Sequence, residues 1–265
     1  MILFVFEGEK REPELFRSIE TLFFGSKQNI VCSFGNNIYE LYSELKALDD
    51  AGDIVSVMRE RYNGEEDSPF TGIESSSAFS EIYLIFDYDF QNKNIPLAEM
   101  NRRISEMLEL FDDETENGKL FINYPMVEAI RYTKRLPDSD YCNYSVSREQ
   151  CQDASFKELA DEFSDYKSLD FLTLSSRRQA SPKEIDSRKQ NWRMVDVQNV
   201  SKANWICNDL FSVPENKDTI SQRAIFSKQL EKFIVPSESV SILSAFPLFL
   251  FDYFPASSAV DSTAV

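Results

Sequence analysis

Residues 82–92 read "IYLIFDYDFQN": five largely apolar residues, two aspartates flanking a tyrosine, then a polar break. A continuous apolar run of this length suits a strand buried on both faces. Asp87 and Asp89 stand where that strand would leave its sheet. The chain opens on a second run of the same design, "ILFVFEGEK" at residues 2–10, in which Glu7 ends the apolar stretch. If the two runs are parallel strands of one sheet, Glu7, Asp87 and Asp89 emerge at its carboxyl edge, where open α/β sheets bind their ligands.

Carboxylates brought together repel one another unless a cation lies between them. Hard oxygen ligands select Mg²⁺, Mn²⁺ or Ca²⁺, and Mg²⁺ commonly pairs one or two carboxylates with phosphate oxygens of a substrate. Acidic residues after strands are common, and "EG" also makes a plain turn. Two such strand ends in one βα context are what point to a metal site.

The surrounding pattern supplies that context. "PELFRSIETLFF" from Pro13 places Leu15, Ile19, Leu22 and Phe23 at helical spacing, and "NIVCSF" from Asn29 reads as a short strand. A helix with Ile38, Leu41, Leu45 and Leu48 on one face follows. Residues 49–80 are rich in Asp, Glu, Gly and Ser and form an excursion with one helix, "DIVSVMRERY". "PLAEMNRRISEMLELF" from Pro96 is amphipathic, "DDETENGK" is an acidic turn, and "LFINYP" is another strand. Strands alternating with helices predict an α/β, Rossmann-like, mainly parallel sheet flanked by helices. We divide the chain into residues 1–135, with an insertion at about 50–80, a mainly helical extension at 136–254, and a frayed tail at 255–265.

Composition narrows the chemistry. The chain has no histidine, which removes Ser-His-Asp and Cys-His nucleophiles, His-ligated zinc and imidazole acid–base catalysis. A formal charge of −17, heavier in the first half, argues against a sequence-blind coating of nucleic acid. Cys32, Cys142, Cys151 and Cys207 form no CxxC pair and are expected to be reduced thiols of a cytoplasmic protein. The opening apolar run lacks a basic leader and reads as a strand rather than a signal peptide. "SILSAFPLFLFDYF" at residues 241–254 is too short for a membrane span, is interrupted by Pro247, and is expected to pack on the core.

Taken together, "FVFEGEKREPELF" and "IFDYDF" resemble the Toprim domain shared by topoisomerases, primases and several nucleases. The more specific likeness is to the stand-alone Toprim proteins of the RloB and AbiL type in bacterial anti-phage defence. Glu7, Gly8, Glu9, Glu12, Pro13 and Phe16 match their opening E-G-E-x-x-E-P-x-[YF] motif. "INYPMVEAI" is similar to their N-P-x-x-E segment through Asn123, Pro125 and Glu128, with Tyr124 inserted. The resemblance covers the first half of the chain. It implies a Mg²⁺- or Mn²⁺-dependent nuclease acting on DNA or RNA, tRNA included, as an effector of abortive infection. Glu7 would act near the scissile phosphate as acid, base or ligand, Asp87 and Asp89 would hold the metal, and Glu128 would be an auxiliary ligand or a plain acidic residue at a helix start. A protein partner of the same defence system, an ATPase being one form, is implied as well.

Basic residues are informative in so acidic a chain. Arg131, Lys134 and Arg135 lie in "RYTKR" just after Glu128, and "RRQASPKEIDSRKQNWR" carries Arg177, Arg178, Arg188 and Lys189 and ends near Trp192. Cations beside an aromatic suit a phosphate backbone with a stacked base, although a solvated polar loop has the same look. Lys10 can reach a phosphate or pair with Glu14. Two other readings stay open: a HAD-type phosphatase, which its late DxD followed by Phe90 and Gln91 fits poorly, and a non-catalytic Toprim-shaped sensor or regulatory subunit that binds a protein.

Overall fold

Apolar runs at residues 2–6 and 81–87 become the two central strands of a five-stranded sheet. The computed structural model describes residues 1–25, 29–48, 53–175 and 178–254. Residues 49–52 of the excursion, Arg177 and the tail at 255–265 lie outside the described residues.

Strands β1 (Ile2–Phe6), β2 (Asn29–Ser33), β3 (Glu81–Asp87) and β5 (Gly118–Asn123) run parallel, and the short β4 (Asp112–Asp113) pairs antiparallel with β5. The order is β2-β1-β3-β5-β4. From β1 the chain builds outward to β2 on one side and then to β3 and β5 on the other. The strand order therefore reverses between β1 and β3, which is where crossover loops diverge and leave a crevice at the carboxyl edge.

Helix α1 (Arg11–Ile19) begins two residues before Pro13, which falls in its first turn. It continues as a π-helical turn over Glu20–Phe24. The wider turn rotates the apolar face, so Phe24 is buried where simple helical spacing placed Phe23. Helix α2 (Ile38–Ala47) is capped by Asn37, whose side chain accepts from the Tyr39 and Glu40 amides at 3.1 Å each. In the same way Asp53 caps α3 (Ile54–Arg61), accepting from Ser56 N at 2.7 Å. Helix α4 (Leu97–Leu110) turns Met100, Ile104, Met107 and Leu108 inward.

The second half is mainly helical: α5 (Arg148–Asp153), α6 (Phe156–Phe163), α7 (Pro182–Asn208), α8 (Gln222–Gln229), the short α9 (Val235–Ser237) and α10 (Ala245–Tyr253). A two-stranded ribbon of β6 (Ser145–Ser147) and β7 (Ser239–Ser241) joins them. Helix α10, inside the stretch expected to pack on the core, buries every residue from Ala245 to Phe251. Phe249 meets Phe4, Tyr83 and Phe121 at ring distances of 5.5, 5.0 and 5.8 Å, and Phe246 stacks on Phe6 at 5.9 Å. Each such phenylalanine contributes about 1.5–3 kcal/mol by leaving water. The extension thus supplies one cover of the sheet formed by residues 1–135. None of the described helices is long and apolar enough to cross a membrane.

Candidate metal centre

The crevice between β1 and β3 collects the acidic residues. Glu7 follows β1 directly; its amide donates to Ile85 O at 3.2 Å, and its Oε2 accepts the Asp87 amide at 3.0 Å. Asp87 ends β3 almost wholly buried, and its Oδ1 accepts from the Asn123 side-chain amide at 2.9 Å. Tyr88 points into the core, its carbonyl receiving the Tyr39 hydroxyl at 2.7 Å. Asp89 adopts a left-handed backbone with φ 54°, a conformation that aspartate tolerates better than most residues. That turn brings Asp89 to the cleft wall, where Gln91 and Asn92 side-chain amides bond its carboxylate.

One further acid joins the group. Glu12, in the first turn of α1, folds back so that Oε1 accepts the Gly8 amide at 3.2 Å. A Cβ on Gly8 would stand 2.8 Å from the Glu12 carboxylate, so a side chain at residue 8 would push that carboxylate aside. Glu128 lies in a 3₁₀ turn, Val127–Arg131, in place of the helix start read from Pro125. Its Oε1 pairs with Arg11 at 2.9 Å, while Oε2 is buried without a hydrogen-bond partner.

These carboxyls resist ionisation. Burial, reinforced by Asp89 and Glu12, pushes Glu7 up to about 8 against the opposing Asp87 amide. Asp87 is raised well above the ordinary carboxylate range by burial and then by Glu7 and Glu12. Glu12 is raised by burial, with Glu128 adding to it, and Asp89 by burial alone. An open cleft of about 680 Å³ fronts the group, lined by Glu7, Glu12, Asp89, Lys10, Arg11 and the 35–37 turn among others.

No family model, curated protein or solved structure matches this chain. What the centre can do therefore rests on its own chemistry. The donors are all carboxylate oxygens, their charged forms destabilise one another, and one oxygen of Glu128 is orphaned, which suits a hard divalent cation. Among the described residues no group of three or more His, Cys, Asp or Glu side chains is arranged so that it could hold a metal ion. The carboxyls instead line an open edge, and a cation there would take one or two of them and fill its remaining positions with water.

The basic residues fare differently. Lys10 is exposed at the cleft, and Arg11, which the sequence reading passed over, lines it too. Residues 131–135 are not a helical row of cations. Arg131 is 1% exposed, pairs with Asp161 at 2.7 Å and donates to the Tyr166 and Lys157 carbonyls, so it holds the extension together instead of meeting phosphate. Lys134 donates to Phe163 O and lies over that ring, while Arg135 is exposed and bonds Ser139. Trp192 is fully buried in α7, its indole N–H donating to Leu172 O at 3.1 Å, and offers no face to a base. Arg178 pairs with Glu184 at 2.8 Å, Arg188 donates to Thr173 O, and Lys189 is half-buried on α7. Arg188 and Lys189 lie in the first third of α7 and Arg178 just before it, and among the described sequence-nominated cations Lys10 is the one that lines the cleft.

Proposed function

We propose that the chain is a divalent-metal-dependent phosphodiesterase with a Toprim-like first half, cutting DNA or RNA as the effector of an anti-phage or abortive-infection system. The observation that carries this reading is the gathering of Glu7, Glu12, Asp87 and Asp89 where the strand order of a parallel sheet reverses, beside an open cleft. The E-G-E-x-x-E-P motif forms the turn and first helical residues of that crevice, which supports the Toprim likeness.

Mg²⁺ or Mn²⁺ would be held by Glu7, Asp87 and Asp89, with Glu12 and Glu128 as neighbouring donors. When bound, the ion supplies Lewis acidity toward a phosphoryl oxygen and offsets the repulsion among the acids. Glu7, whose carboxyl burial raises to about 8 in the metal-free chain, would give up that proton on taking the ion and orient the bound phosphate as a charged ligand. Lys10 and Arg11 at the mouth offset backbone charge that the acidic surface would otherwise repel. Asp87 is fixed by Asn123 and does not need to reorganise as charge develops.

A non-catalytic sensor or regulatory subunit is the second reading, favoured by Asp89, whose carboxylate is taken up by Gln91 and Asn92. One experiment separates the two. Purified protein and its Glu7→Ala variant are incubated with plasmid DNA and with total tRNA in Mg²⁺, Mn²⁺ or EDTA. Cleavage that requires both metal and Glu7 supports the phosphodiesterase and names its substrate. Intact nucleic acid throughout, including in the presence of a co-purified partner, overturns it in favour of the binding module.

A further inference from the structure

Asn123, at the end of β5, is fully buried and has both ends of its side-chain amide committed. Its Oδ1 accepts the Ala245 amide at 2.8 Å and the Ser244 hydroxyl at 3.4 Å. A backbone N–H can only donate, so the oxygen must face α10 and the NH₂ must face Asp87. The same logic repeats one step away. Asn199, in the middle of α7 and 1% exposed, accepts the Ser244 amide at 3.0 Å and the Tyr141 hydroxyl at 2.8 Å through Oδ1, and donates to Val195 O at 2.9 Å. Paired bonds between Tyr124 and Leu243, 2.8 and 3.0 Å, hold the two segments in register.

A continuous chain of directional bonds therefore runs from Tyr141 and Asn199 through the start of α10 to Asn123, then to Asp87, whose amide holds Glu7. Every link as far as the Asp87 carboxylate is buried, where a lost partner leaves a polar group unsatisfied and the remaining groups must turn to compensate. We propose that Asn123 and Asn199 are positioning residues through which the C-terminal extension sets the orientation of the Asp87 carboxylate. The proposal builds on the reading of Glu7 and Asp87 as cation donors. It adds that helix α7, although it contributes no carboxylate to the crevice, governs how well they bind.

The test uses the full chain and two readouts. Mn²⁺ binding, followed by electron paramagnetic resonance of the free ion, is compared for wild type, Asn123→Ala, Asn199→Ala, Asn199→Asp, Tyr141→Phe and Glu7→Ala. The carboxyl ¹³C resonance of Asp87 is followed in the metal-free proteins. Outer partners of metal ligands typically matter by about 10–100-fold, so Asn123→Ala is expected to weaken binding at least about tenfold. Asn199→Ala is expected to weaken it severalfold and to shift the Asp87 resonance, although it touches no acid. Asn199→Asp, which keeps the acceptor for Ser244 and Tyr141, restores both signals. Tyr141→Phe removes a single hydroxyl and gives a smaller change in the same direction, which covers the case in which an asparagine variant fails to fold. Wild-type affinity and an unmoved Asp87 resonance in Asn199→Ala and Tyr141→Phe would overturn the proposal while leaving the metal site standing. If wild type and Glu7→Ala bind Mn²⁺ equally weakly, the metal reading fails, and the Asp87 resonance alone decides the relay.

Discussion

Glu7 and Glu99 are the same side chain in opposite company. Glu99, in the first turn of α4, sits at the solvent surface with Arg102 and Arg103 at 2.7 and 2.8 Å, and these bonds hold its carboxyl down at about 2. Glu7 sits in a crevice, short of water and beside other acids, and rises to about 8. The first arrangement satisfies a charge and leaves nothing to do. The second holds a carboxyl against ionisation in a cleft, and a group perturbed in that way is a candidate for binding or chemistry.

Removing Glu7 is the strongest way to break this contrast. Glu7→Gln or Asp87→Asn should lower metal-dependent cleavage by at least about a hundredfold in a gel assay, the upper end of what losing even an outer partner of a metal ligand costs. Glu99→Gln should leave the rate unchanged.

The pH dependence of stability sharpens it next. A carboxyl whose folded pKa lies above its unfolded value keeps a proton on folding between about 4.5 and 8. Ionisation then favours the unfolded chain, so metal-free stability falls as pH rises through that window. Even about 1–2 kcal/mol of this effect moves the melting temperature by roughly 3–6 °C, measurable by calorimetry in EDTA between pH 5 and 8. Glu7→Gln should flatten the slope. Mn²⁺ should raise the melting temperature more at pH 8 than at pH 6, because binding must displace the proton.

Arg11 offers a subtler probe, since it pairs with the buried Glu128 beside the cluster. Arg11→Met should destabilise the metal-free protein at pH 8 by about 1–3 kcal/mol in urea titrations, with much of the loss recovered by Mn²⁺. Smallest of all is Glu99→Gln, expected within about 0.5 kcal/mol of wild type and insensitive to metal, as exposed ion pairs usually are.

How much of this was legible in the sequence follows from the physics of each element. β1, β3 and β5 announce themselves as short unbroken apolar runs, because both their faces are buried, and α2 and α4 by a helical period of apolar residues. The ends of two such runs bring Glu7 and Asp87 to one sheet edge. Glu12 escaped notice as a member of the cluster because an acid in the first turn of a helix already has a reason to be there. Its part depends on a backbone approach at Gly8 that spacing does not encode. Asp89 reaches the cleft wall beside Glu7 through a left-handed backbone turn and takes amide partners of its own, neither of which the spacing of two aspartates encodes. Arg131 and Trp192 were misread for a shared reason: a buried cation and a buried indole have the same letters as exposed ones. Helix α7 hid because its buried face includes Gln198, Asn199, Ser201, Lys202 and Asn204, polar residues that pay for burial with specific bonds no hydropathy pattern reports.

The late position of α10 also sets an order of events during synthesis. Asn123 and the amide that fixes it are 122 residues apart, and the aromatic cover of Phe4, Tyr83 and Phe121 arrives with the same helix. At about 5–20 residues per second, a ribosome delivers that helix roughly 6–24 seconds after the strand it completes. Until then the sheet lacks one wall and Asp87 lacks its fixed neighbour. The crevice is thus finished by a helix made long after the strands it covers, and a nascent protein carries its acids for many seconds before Asp87 gains its fixed neighbour.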